Sequence, residues 1–314
     1  MEYFVIILLL IIVGLFFIAR KNLMVTIGRN YNQQPLDPDK VPSSSKTYVA
    51  QSYFAYQQIK DDVMEEVSIT SSDGLKLKGK LYKFNPATKK VCIGFHGFHA
   101  YGLRDMARFA PLYKSLGYDY LIIDQRTHNA SEGKYITFGV NERYDGLLWI
   151  KEIIRRYGED VQIVIHGVSM GAATVLMISG LKELAEQVKF VIADCSYSNM
   201  YDETEYVMKK DGAGNLQRKL QLAFTMFYGK VFVGCTIKEA SPIDAVKNSE
   251  VPALLIHGKE DDYVPYYMLD AIDQAYAGEH HTYRVNGAAH AMSYVEDHEG
   301  YNHEIITLLN KYVR

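Results

Sequence analysis

A serine between two glycines, an acidic loop and a late histidine follow one another along this chain. Together they could carry out nucleophilic acyl transfer. A serine hydroxyl is a poor nucleophile near neutral pH, so it needs a base within hydrogen-bond reach and an acid to orient that base. The serine is Ser169, in the run Ile163-Val164-Ile165-His166-Gly167-Val168-Ser169-Met170-Gly171-Ala172-Ala173-Thr174. A β-branched stretch ends there in G-x-S-x-G and passes into a small-residue helical stretch, the strand-turn-helix context that projects a nucleophile. Gly167 and Gly171 keep side chains out of the sharp turn. Met170 opens the following helix, where unpaired N–H groups and the helix dipole favour developing negative charge.

The acid and the base are sought downstream. Leu254-Leu255-Ile256-His257-Gly258-Lys259-Glu260-Asp261-Asp262-Tyr263-Val264-Pro265 reads as a strand, a glycine turn and an acidic loop ending at a helix-starting proline. Asp261, Asp262 and Asp194, the last ending the preceding strand, are the candidate acids, and Glu260 reads as a solvated loop charge. Asn286-Gly287-Ala288-Ala289-His290-Ala291-Met292 follows the last strand and offers His290 among small neighbours.

The elements that must position these groups come from the periodicity. Residues 66–70 and 75–84 flank the turn Ser71-Ser72-Asp73-Gly74 and read as an antiparallel hairpin. After Pro86, apolar strands at 91–95, 120–124, 161–165, 190–193, 253–257 and 282–285 alternate with helical segments at 105–116, 141–157, after 169, from 265 and from 297. That alternation predicts an α/β fold with a mainly parallel sheet and helices on both faces. Residues 197–240, rich in Tyr, Met and Phe, break the rhythm and read as a cap over the C-terminal sheet edge, where open α/β folds place their sites. Tyr201, Tyr206, Met226, Phe227 and Tyr228 would line an acyl pocket or pack the cap's own small core.

With these motifs in place, the chain resembles the α/β-hydrolase superfamily, and most of all its small bacterial membrane-anchored members related to the serine aminopeptidase and monoglyceride lipase branch. The resemblance runs from about residue 67 to the C-terminus. It is carried by Phe95-His96-Gly97-Phe98, Asp124-Gln125-Arg126, Gly167 to Gly171, the pattern H-G-x-x-D-x-x-V-P from His257 to Pro265, and His290. It implies the triad order Ser, Asp, His: Ser169 attacks an acyl carbon, His290 moves the proton, and Asp261 holds the imidazole tautomer. It also implies an oxyanion hole from the backbone amides of Phe98 and Met170. Relatives often read D-x-R-G-H-G-x-S where this chain has Asp124-Gln125-Arg126-Thr127-His128-Asn129-Ala130-Ser131. Asn129 can take a left-handed conformation, whereas Thr127 questions close backbone packing there.

Composition bounds the rest. The chain has 314 residues with a formal net charge of −3, and its basic residues are scattered, which gives no electrostatic footprint for nucleic acid. Cys92, Cys195 and Cys235 are too few and too far apart for a disulfide framework or a zinc motif. His96 reads as a structural residue fixing the loop of Phe98, and His99, His128 and His166 as polar or satisfied structural residues. His280-His281 and the pair His298 and His303 lack a completing carboxylate or cysteine pattern. No cofactor or metal is implied.

Residues 3–19 carry no charge and as a helix would cover about 25 Å. The absence of a basic leader and of an A-x-A-like cleavage site favours a transmembrane anchor over a signal peptide. Arg20, Lys21 and Arg29 follow the run and only Glu2 precedes it, so a cell-membrane location with the large domain cytoplasmic is expected. The expected division is an anchor at 1–21, a linker with a short helix at 22–60 (the helix over 48–61), and the hydrolase domain at 61–314.

The expected activity is cleavage of carboxylic esters with short to medium acyl groups. The alternatives are a serine aminopeptidase or amidase acting on short peptides, an acyltransferase, and a non-catalytic membrane-tethered binding protein. The peptidase reading calls for an acidic group in the cap to hold a free amine, for which Glu203 and Glu205 are available.

Overall fold

Short aliphatic runs without polar alternation cannot face water on either side, and here they form the middle of one eight-stranded sheet. The computed structural model describes residues 2–29 and 35–313, and within the first helix the side chains at 3, 13, 14 and 16–27. The strands are β1 (Met64–Thr70), β2 (Lys76–Tyr82), β3 (Lys90–Phe95), β4 (Asp119–Asp124), β5 (Gln162–Val168), β6 (Val188–Asp194), β7 (Ala253–Gly258) and β8 (His280–Val285), in the spatial order β1-β2-β4-β3-β5-β6-β7-β8. Strand β2 runs antiparallel to both β1 and β4, and every pairing from β4 to β8 is parallel. The mainly parallel sheet with an antiparallel lead-in matches the architecture expected from the sequence.

Alternate residues of each strand serve opposite faces. In β5, Ile163 and Ile165 join one core, under α5 (Glu142–Tyr157), α6 (Met170–Ser179) and α10 (Tyr267–Ala275). Val164 and Val168 join the other. That second face is covered by α2 (Ser43–Ile59), the short α3 (Gly102–Met106) and α4 (Ala110–Ser115), and the C-terminal pair α11 (Ser293–Glu296) and α12 (His298–Tyr312). Helix α5 shows why one face turns inward: Leu147, Ile150, Ile153 and Tyr157 recur at helical spacing and are buried.

Between β6 and β7 the chain leaves the sheet to build a cap from α7 (Met200–Lys210), α8 (Asn215–Tyr228), a wide turn at Gly229–Val233 and α9 (Pro242–Ala245). It packs a third apolar core with Phe138, Met170 and Val264.

The first helix, α1 (Glu2–Ile27), corrects the sequence reading. Among the described residues no helix is long and apolar enough to cross a membrane, which overturns the expected transmembrane anchor and the membrane location derived from it. The second half of α1 meets protein instead. Phe16 lies edge-on to Phe224 with ring centroids 5.5 Å apart, Leu23 and Met24 pack against the cap core, and Ile27 is buried in it. Phe17, Ile18 and Val25 stay exposed. The helix runs on through residues 22–27, where a linker was expected, and residues 30–34 of that linker lie outside the described residues. Beyond them come a capped turn at Pro38–Lys40 and then α2, which begins before the expected 48.

Candidate active site

Parallel strands in register bring their C-terminal ends to one sheet edge. Phe95 pairs with Gly167, Gly167 with Ala193, Asp194 with Ile256, and Gly258 with Val285. The loops that leave these ends carry Phe98, Ser169, Asp261 and His290.

Ser169 occupies a backbone conformation that side-chain-bearing residues rarely adopt, at φ 55° and ψ −118°. Its surroundings leave room only for glycine. A Cβ at 171 would lie 2.0 Å from the Phe95 carbonyl oxygen, and one at 167 would lie 2.2 Å from the Gly171 oxygen. The turn is anchored by the Ser169 N–H, which donates to the Asp194 carbonyl at 2.8 Å.

Ser169 Oγ lies 2.9 Å from His290 Nε2, and His290 Nδ1 lies 2.8 Å from Asp261 Oδ2. The other carboxylate oxygen, Oδ1, accepts the backbone N–H groups of Tyr263 and Val264 at 3.0 and 2.9 Å. His257 Nε2 faces only acceptors, Val264 O at 3.0 Å and Asp261 Oδ2 at 3.2 Å, so that nitrogen carries the proton and donates. Burial alone would raise the Asp261 carboxyl, but hydrogen bonds from His257 and His290 outweigh it and hold the group well below the usual carboxylate range. The Tyr263 ring packs 5.0 Å from the His290 ring.

The rival acids are placed elsewhere. Asp262 is exposed and pairs with Lys210 at 2.7 Å. Asp194 is buried, accepts the Tyr301 hydroxyl at 3.2 Å through Oδ2, and is pushed up to about 6 by burial, against the nearby His257 and Tyr301.

Phe98 and Met170 line the same cavity as Ser169. Met170 is the first residue of α6, so its N–H has no carbonyl one turn back to meet. The loop of Phe98 is held from below. Gly97 N–H donates to Asp105 Oδ2 at 2.8 Å, His96 Nδ1 meets Gly97 O at 2.7 Å, and Gln125 N–H donates to His96 Nε2 at 3.0 Å. The glycine-less turn at 124–131 survives with both Thr127 (φ 71°) and Asn129 (φ 42°) left-handed. Thr127 is held there by its N–H to Glu132 O and its hydroxyl to Tyr135 O, each at 2.8 Å.

The cavity over Ser169 encloses about 260 Å³. Its walls come from the cap (Met208, Val233), from the core side (Phe138, Val264), and from α1 (Leu23, Ile27). Among the described residues one acidic side chain lines it: Glu203 of α7 is 2% exposed, and neither carboxylate oxygen has a hydrogen-bond partner among them. Burial, and then the negative charge of Asp261, push its carboxyl up to about 8, against the pull of Lys210.

Sequence reasoning gave no role to His257, although the residue stands four positions before Asp261, nor to any residue of α1 in the cavity wall. The H-x-x-x-D spacing was the available signal for the first. For the second there was none beyond the apolar run itself.

No known family profile matches the chain. It is 29% identical over 243 residues to the uncharacterized protein YqkD of Bacillus subtilis (strain 168), covering 77% of this chain and 78% of the relative. Among solved structures it is similar to the Pyrococcus furiosus esterase Pf2001, with TM-score 0.65, 20% identity, and coverage of 82% of this chain and 94% of the esterase. Acetyl xylan esterase 1 from Thermoanaerobacterium sp. JW/SL YS485 aligns with TM-score 0.59 and 14% identity over 91% of this chain and 98% of its own. The Pyrococcus horikoshii acylaminoacyl peptidase aligns at 0.60 and 18% over 82% of this chain and 43% of the peptidase.

Proposed function

The chain has the α/β-hydrolase fold, and on that premise we propose that it is a serine hydrolase cleaving carboxylic esters through an acyl-enzyme. A fold of this kind hosts many activities, so the reading rests on the site. The observation that carries it is the unbroken relay from Asp261 through His290 to Ser169, which opens into a mainly apolar cavity.

In this reading Ser169 Oγ attacks the ester carbonyl while His290 Nε2 takes its proton. Asp261 keeps the Nδ1–H tautomer and stabilises the imidazolium. The oxyanion is met by the N–H groups of Phe98 and Met170, each such donor being worth roughly 10²- to 10³-fold in rate. His290 then delivers the proton to the departing alkoxide, and water enters by the same route in reverse to release the acid. Asp261 is ready for this role because Tyr263, Val264 and His257 already satisfy its remaining lone pairs.

A second reading has its own observation. Glu203 presents a buried, unpartnered carboxyl in the wall of this cavity, and a substrate amine would supply the donors it lacks. That favours aminoacyl esters or amides as competing substrates.

Fluorophosphonate labelling of the wild type and of Ser169→Ala tests the enzyme, followed by a panel of acyl esters and aminoacyl amides. We expect labelling that is lost in the variant and turnover of acyl esters. A wild type that stays unlabelled where a control esterase labels would overturn the proposal, and preferential cleavage of aminoacyl amides would favour the second reading.

A further inference from the structure

The first helix reaches the catalytic cavity from nearly 150 residues before the nucleophile in the sequence. Leu23, Thr26 and Ile27 lie in the wall that also holds Ser169, Phe98 and Met170. The contact is built into the backbone. Ile136 N–H donates to Ile27 O at 2.8 Å, Gly28 bridges Tyr135 in antiparallel fashion, and Arg29 Nη2 donates to Asn129 O at 2.8 Å. The helix also meets the oxyanion loop. His99, the residue after Phe98, holds a left-handed conformation at φ 53°, directs its Nε2–H to Thr26 O at 2.8 Å, and stacks its ring on Phe98 with centroids 3.8 Å apart.

We propose that α1 is a component of the active site: its Leu23 and Ile27 side chains set the length of acyl group accepted, and its Thr26 carbonyl braces the loop presenting the Phe98 amide. This rests on the serine-hydrolase reading and deepens it. A cavity of about 260 Å³ lies just below the usual range of about 300–1,000 Å³ for small-molecule sites, so little room is left over and a single wall residue matters. Met208 and Val233, which line the same cavity, are apolar too, so the occupant at this wall is a hydrocarbon chain of short to medium length. Leu23 is half-buried and Ile27 buried, which makes Leu23 the position that tolerates a change of size. His99 is a positioning residue: it touches no reacting atom and acts through Phe98.

The test uses the full chain and the acetate, butyrate, hexanoate, octanoate and decanoate esters of one chromogenic alcohol. Leu23→Trp should lower the decanoate-to-acetate ratio of kcat/KM by about 10- to 100-fold, the scale of one or two methylenes in an apolar pocket, and Leu23→Ala should raise it. His99→Ala should lower kcat for every ester by about tenfold with KM little changed, as loss of transition-state support requires. Unchanged ratios in both Leu23 variants, with Ser169 still labelled by fluorophosphonate, would overturn the wall. A His99→Ala effect confined to KM would overturn the brace. Failure of the wild type to label would instead strike the serine-hydrolase reading, and this inference with it.

Discussion

Replacing Glu203 by Gln isolates the energetic consequence of placing an unpartnered carboxyl in the cap. The side chain is 2% exposed and its oxygens meet no donor among the described residues. Burial above all, with Asp261 adding repulsion, raises the carboxyl from its usual 4.5 to about 8. For an acid raised on folding, the native state holds the proton more tightly than the unfolded chain. Its contribution to stability is therefore complete below about pH 4.5, is lost progressively as pH rises to about 8, and changes no further above that. At about 1.4 kcal/mol per pKa unit, the gap sets a ceiling of about 5 kcal/mol. Water entering the neighbouring cavity lowers the expected loss to about 2–4 kcal/mol. Glutamine keeps the shape and cannot ionise. Urea unfolding of both proteins at a series of pH values from acid to alkaline reads the difference directly. The two should have nearly equal stability at the acid end, and the variant should be more stable by about 2–4 kcal/mol at the alkaline end. Stability profiles that run parallel throughout would refute the burial argument.

Three further outcomes are expected. Asp261→Asn should leave the fold intact and lower kcat by roughly 10³- to 10⁴-fold, since the amide no longer holds the Nδ1–H tautomer of His290; steady-state turnover with the best ester checks it. Gly171→Ala forces a Cβ to within 2.0 Å of the Phe95 carbonyl and should cost about 3 kcal/mol or more, measured as a fall in the thermal midpoint. His257→Leu removes a donor from Asp261 and so raises its carboxyl toward the ordinary range. A depressed carboxyl contributes stability above its unfolded value, lost as pH falls through the folded one. The variant should accordingly unfold at higher pH than the wild type on acid titration followed by circular dichroism, and coincident titrations would count against His257 as a support.

The strands and the serine turn were legible because each is imposed by local constraints: unalternated β-branched runs for a doubly covered sheet, and glycines where a Cβ meets backbone oxygen. The acid was not decidable from residue types, since Asp261 and Asp262 are neighbours. What separates them is loop register. Asp261 turns inward to accept the Tyr263 and Val264 N–H groups, while Asp262 turns out to Lys210. Glu203 stood among the cap acids with nothing to mark its burial, which arises from how α7 seats over the cavity. The run at 3–19 misled for a related reason, because hydropathy measures aversion to water and is silent about what replaces it. Here Phe224 and the cap core cover part of that helix.

The docking of α1 also has a consequence in time. The Tyr228 hydroxyl meets the sulfur of Met24 across 204 residues of chain. At about 5–20 residues per second, synthesis leaves the helix without this covering for about 10–40 s after it is made. During that interval its apolar side chains have no native cap to meet and are open to other chains or to chaperones. A segment made about 200 residues ahead of its covering must wait for it, so yield in the cell should respond to translation speed and chaperone supply.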